Sequence, residues 1–245
     1  MSATNSDVLD AEVRKKLLQV GTANIANALL KRGFRNTMML GIKPLGEQEQ
    51  MVGPAYTLRF IPAREDLDTM VNYSRDDNLH RLAIEECPAG AVLVIDANGS
   101  IRSASMGDMM AARLKYRGVA GVVTDGGYRD SPAIKAIGLP CYQKENAPPA
   151  TPISLHPISL NEPIGCAGVA VYPGDILVGD GDGVVVIPKH LVSEIADEAL
   201  DAVNYEEYAA LHIAKGRSIL GLFPATEQSR EEYVQWLRHG KTELE

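Results

Sequence analysis

The chain has 245 residues, with 24 Lys plus Arg against 32 Asp plus Glu, and a formal net charge of −8. That balance excludes a protein that coats nucleic acid through bulk positive charge, and it disfavours an anionic membrane surface. No apolar run approaches the roughly 20 residues of a membrane span, and the hydrophobic content of 45% excludes wholesale disorder.

The opening Met-Ser-Ala-Thr-Asn-Ser-Asp lacks the basic region and apolar core of a signal peptide, so a cytoplasmic protein is expected. Asp10 is placed to cap a helical turn through Val13, Leu17 and Leu18. Thr22 then reads as the cap of a second helix, with Ile25, Leu29 and Leu30 on one face and Gly33 as its stop. From Gly53 to Phe60 the pattern turns extended. The middle of the chain alternates helix and strand. Asp77–Cys87 reads as a helix stopped by Pro88, and Ala91–Ile95 as a strand buried on both faces. Met109–Tyr116 is a second helix, Val119–Thr124 a second buried strand, and Pro132–Ile137 a short helix. Such alternation implies parallel strands with helical crossovers.

Ile153–Pro188 differs, with short β-type runs broken by Gly, Pro and Asn. It reads as an antiparallel or mixed β layer. Leu191–Lys215 is a long amphipathic helix, and a last helix is read to begin with a Ser229–Glu232 capping box. The sum is one α/β domain over residues 1–245, with parallel central strands, an added β layer, terminal helices and a C-terminal helical extension from about residue 216. Cys87, Cys141 and Cys166 lie far apart and read as small buried thiols. His80 reads as a helix-surface residue, or as a substrate contact; His156, His190, His212 and His239 show no metal-ligand spacing.

Two segments carry candidate chemistry. In Met106-Gly107-Asp108-Met109-Met110, Gly107 lets the backbone approach a ligand, and the amides of Met109 and Met110 open a helix whose N-terminus favours an anion. The plainer reading makes Asp108 an N-cap. In Thr124-Asp125-Gly126-Gly127-Tyr128-Arg129-Asp130, a polar loop follows a buried strand, where ligands of α/β folds bind. Arg129 can grip a carboxylate with two parallel hydrogen bonds. Asp125 and Asp130 are hard oxygen ligands of the kind that hold Mg²⁺. The plainer reading is a surface Arg129–Asp130 ion pair with Asp125 in a turn. Together, the segments suit a divalent metal bearing a small 2-oxo acid.

Asp108, twenty intervening residues and then Arg129-Asp130 resembles the signature of the class II pyruvate aldolases for 4-hydroxy-4-methyl-2-oxoglutarate and 4-carboxy-4-hydroxy-2-oxoadipate. That family shares its fold with the regulator of ribonuclease E activity A. The context Arg117–Val123, Pro173-Gly174-Asp175-Ile176 and Gly183–Pro188 is similar too, and the resemblance runs from about Gly21 to Gly216. It implies a swivelling β/β/α (RraA-like) domain assembled as trimers or hexamers, with active sites between subunits. It implies Asp130 as the direct Mg²⁺ or Mn²⁺ ligand and Asp108 as a ligand through water. Arg129 would stabilise the pyruvate enolate, and Gly107, Met109 and Met110 would seat the pyruvyl group. Glu206 of a neighbouring subunit, with Glu207 as the near alternative, would reach the metal's water shell.

The reaction expected is cleavage of a 4-hydroxy-2-oxo acid to pyruvate, with oxaloacetate decarboxylation through the same enolate. A Schiff-base route would need a desolvated lysine, and nothing around Lys135 or Lys144 suggests burial. Two other readings remain open. One is a metal-dependent sugar-acid dehydratase or other lyase. The other is a non-catalytic ribonuclease regulator, a branch that keeps the arginine but lacks the following aspartate. The polar stretch Asn72–Glu86 and the tail after Gly216 depart from the short aldolases, and substrate preference or assembly is expected to be written there.

Overall fold

The computed structural model describes residues 9–47 and 50–240, so the opening heptapeptide lies outside the described residues. Helix α1 (Ala11–Leu17) starts where Asp10 accepts hydrogen bonds from the Glu12 and Val13 amides. Helix α2 (Thr22–Lys31) is capped by Gly21 instead of the expected Thr22. The amide and hydroxyl of Thr22 donate to Asp180, 2.7 and 2.9 Å away, so a distant carboxylate has captured the group that would have capped the helix.

Strands β1 (Met38–Met39) and β2 (Lys43–Pro44) precede the long β3 (Met51–Pro62). A short α3 (Met70–Tyr73) leads into α4 (Leu79–Glu86), which ends just before Pro88. Then come β4 (Val92–Asp96), β5 (Ala104–Met106), α5 (Asp108–Tyr116), β6 (Gly121–Thr124), β7 (Gly127–Tyr128), α6 (Ser131–Ile137), β8 (Cys141–Gln143) and β9 (Glu145–Asn146): the alternation of β4 and β6 with the helices is as expected, while the short β5, β7, β8 and β9 are additions to the sequence reading. The β-rich region supplies β10 (Leu155–Leu160), β11 (Ile164–Cys166), β12 (Val169–Val171), β13 (Ile176–Asp180) and β14 (Gly183–Ile187). Helix α7 (Val192–Ala214) and α8 (Glu227–Arg238) close the chain. The cap of α8 lies one turn earlier than expected: Thr226 and Ser229 exchange the capping bonds, while Glu232 pairs with Arg217 at 2.7 Å.

Strands β3, β4, β6 and β8 run parallel. The first half of β3 also pairs antiparallel with β13, and its second half with β10, so β3 joins the parallel core to the β-rich region. Alternation along β4 explains the layers. Leu93 and Ile95 join a core beneath α4, α5 and α6, with Ala83, Leu114 and Ile134. Val92 and Val94 join a second core under Ile164, Val171, Leu177 and Val184 of the added β layer. A third core seats α1, α2 and α7 on β13 and β14 through Leu17, Ile25, Val178 and Ile195. Cutting one of these buried Leu or Ile side chains to Ala would cost about 2–5 kcal/mol. In the tail, Tyr205, Tyr208, Tyr233 and Trp236 pack α7 against α8 around Leu222. Among the described residues, no helix is long and apolar enough to cross a membrane.

Candidate active site

A small parallel sheet, β5-β7-β9, stands beyond the carboxyl ends of the central strands and carries the candidate residues. Gly127 makes it possible: a Cβ there would lie 2.2 Å from the Glu145 carbonyl oxygen. Met106 is opposite Tyr128, and the Arg129 amide donates to the Met106 carbonyl at 3.1 Å. The next residue on that side is Gly107, extended at φ −123°, which opens α5 as its N-cap. A Cβ on Gly107 would stand 3.0 Å from Arg129 Nε and 3.2 Å from Asp130 Oδ2, so only glycine leaves these side chains undisturbed.

Asp108 is therefore the first residue of α5, and the N-cap reading does not hold. Its Oδ1 accepts the Met109 amide at 2.8 Å, so that amide is engaged by its neighbour and does not point free toward a ligand. A carboxylate at this position offsets the positive end of the helix dipole. Asp130 caps α6 from the left-handed region, at φ 57° and ψ 32°, and its Oδ2 accepts from Arg129 Nε at 3.1 Å. The ion pair is exposed on both sides, which leaves the guanidinium and the carboxylate open to an incoming group.

Gly107, Asp108, Met109, Met110 and Arg129 line one cleft of about 200 Å³, with Asp130 at its edge through Arg129. Met70, Tyr73, Ala150 and Thr151 complete it. These four are missed by the sequence reading. They arrive from α3, before β4, and from the segment after β9, at least about 20 residues away in sequence, and no spacing announces them.

Asp125 does not join this site. It is buried, and its two oxygens accept the amides of Ala97 (2.7 Å) and Gly99 (2.9 Å), so it holds the turn after β4. It lines a separate cavity of about 400 Å³ with Arg59 and Asp96, where burial pushes the Asp96 carboxyl up. Glu206 lines a third cavity, accepts from Asn24 Nδ2 at 3.0 Å, and does not meet Asp130 within one chain. Glu207 is exposed on the same helix. Among the described residues no lysine lines the cleft; Lys135 is exposed, and Lys144 reaches out to the Gly99 carbonyl at 3.1 Å. The three thiols are buried, with Cys87 and Cys141 pushed up to about 12 by desolvation, which suits inert packing groups.

His80 is a correction to the sequence reading. It is fully buried, not on a helix surface. Its ring packs edge-on against Phe60 at 5.2 Å, and its Nδ1 lies 3.4 Å from the Tyr73 hydroxyl. Its Nε2 is buried with no hydrogen-bond partner among the described residues. Burial lowers its pKa to about 4, so the ring is neutral near pH 7.

The donor set fits a hard divalent cation. Asp108 and Asp130 flank Gly107 with carboxylate oxygens, and no His or Cys among the described residues lines the cleft. Among the described residues no group of three or more His, Cys, Asp or Glu encloses a metal. Two carboxylates with room for water and ligand oxygens suit Mg²⁺ or Mn²⁺ better than a closed zinc site.

A family model described as RraA-like, Aldolase/RraA, matches residues 22–186. A Halalkalibacterium halodurans protein named "Putative 4-hydroxy-4-methyl-2-oxoglutarate aldolase" is 40% identical over 162 residues, which cover 64% of this chain and 69% of that protein. Protein DlpA of Legionella pneumophila is 28% identical over 89% of this chain, which spans only 33% of DlpA's own length. The crystal structure of a Streptomyces coelicolor protein, described as an unusual member of the RNase ES inhibitor RraA protein family, superposes with a TM-score of 0.72 at 33% identity. It covers 83% of this chain and 98% of that one. With its parallel core, added β layer and matching sequence, the chain belongs to the RraA-like family.

Proposed function

We propose that the protein is a divalent-metal-dependent lyase, a class II pyruvate aldolase that cleaves a 4-hydroxy-2-oxo acid to pyruvate and also decarboxylates oxaloacetate. The observation that carries this reading is the closeness of Arg129 and Asp130 to Gly107 at the start of α5. It puts a cation, two carboxylates and a bare stretch of backbone in one cleft. The 40% identity to a protein named as an aldolase supports the same reading. So does Asp130, which directly follows Arg129, over a regulator-only role for a fold that RNase inhibitors share.

Arg129 binds and orients the pyruvyl carboxylate and faces the oxygen on which negative charge develops. A charge that grows in the transition state is stabilised there more than in the ground state. Asp108, whose Oδ1 is held by the Met109 amide, takes the 4-hydroxyl proton on Oδ2. Gly107 keeps the floor of the cleft clear of side chain. Asp130 would hold Mg²⁺ or Mn²⁺ directly and Asp108 through water, and the ion when bound supplies Lewis-acid stabilisation of the enolate charge. Glu206 of a neighbouring subunit, or Glu207 beside it, would reach the ion's water shell in a homotrimer or hexamer, and the protein would act in the cytoplasm.

The test is pyruvate release from a panel of 4-hydroxy-2-oxo acids and from oxaloacetate, with Mg²⁺ or Mn²⁺. Release that chelation abolishes is expected. No release across the panel, with metal binding confirmed, would overturn the proposal.

A further inference from the structure

The tail encloses a cavity of about 630 Å³ against α2 and α7, and it shares no residue with the Gly107–Arg129 cleft. Asn24 and Lys31 of α2, Glu206 of α7, and Phe223 and Arg230 of the tail are among the residues that line it. The cleft and this cavity are thus two separate concave surfaces of one chain, the first with Arg129 and the second with Glu206.

Lys31 and Arg230 are the cations that line the cavity among the described residues. Lys31 Nζ is taken by Glu198 Oε1 at 2.8 Å. Arg230 is held differently. Its guanidinium lies over the Tyr205 ring, 4.4 Å from the centroid, and its Nη1 donates to Asp201 Oδ2 at 2.9 Å. Stacking and one ion pair fix the plane of the fork. Among the described residues its Nε and Nη2 make no hydrogen bond, so that edge is left for a ligand. A planar cation fixed in this way is pre-organised for two parallel bonds to a carboxylate. Of the acids in the same wall, Glu198 is matched by Lys31 and Arg32, and Glu227 is exposed.

We infer that Arg230 of a neighbouring subunit is a specificity-determining residue: it binds a second carboxylate of the substrate, beyond C4, and makes the site prefer diacids to monoacids. The inference rests on the reading proposed above, in which Arg129 binds the pyruvyl end and Glu206 of a neighbouring subunit reaches the ion's water shell. An assembly that brings Glu206 to the ion brings its wall too. Arg230 lines the same cavity as Glu206 and stacks on Tyr205, the residue just before it. The chain's own cleft offers a substrate only one cation among the described residues, Arg129, already shared between Asp130 and the pyruvyl end. An anion desolvated without a partner binds poorly, so a second carboxylate needs a cation from outside that cleft. Arg230 stands in the tail after Gly216, where the sequence departs from the short aldolases.

The test is calorimetric binding, with Mg²⁺ present, of pyruvate and of 2-oxoglutarate, which carries a second carboxylate and has no 4-hydroxyl to react. The parent is expected to bind 2-oxoglutarate at least about tenfold tighter than pyruvate. Arg230→Gln keeps a polar stem beside Tyr205 and loses the charge. It should erase that preference while pyruvate binds as before, and Arg230→Lys should restore part of it. Co-expressed Arg129→Ala and Arg230→Gln chains test whether Arg230 acts across the interface: about a quarter of the sites in mixed oligomers would hold both arginines and regain tight 2-oxoglutarate binding. A parent without the preference, a preference that Arg230→Gln leaves intact, equal weakening of both ligands, or no regain in the mixed oligomers would overturn the inference and leave the pyruvyl site standing. If pyruvate itself does not bind the parent, the pyruvyl site falls and this inference falls with it.

Discussion

Gly107 and Arg129 sit side by side just past the ends of β5 and β7, so close that a Cβ on Gly107 would lie 3.0 Å from Arg129 Nε. The contact is with side chains that can move, so Gly107→Ala displaces Arg129 and Asp130 without breaking the fold. Turnover is expected to fall about tenfold or more, because small misplacements of a positioned group are costly. Steady-state kinetics and a melting curve check this. Unchanged turnover would show that the contact does not position the site.

Arg129 is expected to act through its planar fork as well as its charge. Arg129→Lys keeps the charge and loses the bidentate geometry, so kcat should fall about tenfold, and Arg129→Ala about a hundredfold. Full activity in the lysine variant would reduce the role of Arg129 to charge alone.

Asp130 stands in a backbone conformation that strains most residues, φ 57° and ψ 32°. Aspartate and asparagine enter this region more readily than other side chains. Asp130→Gly should raise stability by about 1 kcal/mol in urea unfolding while activity is lost. Asp130→Asn should leave stability near that of the parent, since Asn tolerates this region, and also lose activity. An active Asp130→Asn variant would remove the carboxylate from the site's chemistry.

How much of this was legible in the sequence follows the range of the forces involved. The apolar run through Leu93 and Ile95 gave the doubly buried strand because that signal is local, and Pro88 marked its helix stop. Asp108, Arg129 and Asp130 were legible as residue types at the ends of predicted elements. Their meeting at Gly107 depends on β5, β7 and β9, strands of two or three residues with no periodicity to read. Thr22 lost its capping role to Asp180, and Asp125 turned inward to the Ala97 and Gly99 amides, because partners remote in sequence won those groups. His80 looked like surface from its helix alone; Phe60 and Tyr73, from other segments, bury it.

That burial gives a pH signature. The His80 pKa falls from 6.5 to about 4 on folding, so the unfolded chain binds its proton first as pH drops. The stability from keeping His80 neutral is complete above about pH 6.5 and is lost progressively as pH falls toward 4, by about 3 kcal/mol in total. Unfolding free energies at pH 7 and pH 4.5 should therefore diverge more in the parent than in His80→Phe, by about 2–3 kcal/mol. Parallel pH slopes in the two proteins would contradict a neutral buried ring.

The central claim is that Arg129 and Asp130, beside Gly107, stabilise the enolate of pyruvate. Exchange of pyruvate methyl protons in D₂O, followed by proton NMR with Mg²⁺, reads that step without the distal half of any substrate. The account predicts protein-dependent exchange in the parent, abolished by a chelator and slowed about a hundredfold or more in Arg129→Ala. Bound pyruvate that shows no exchange, or exchange undiminished in Arg129→Ala, would contradict it.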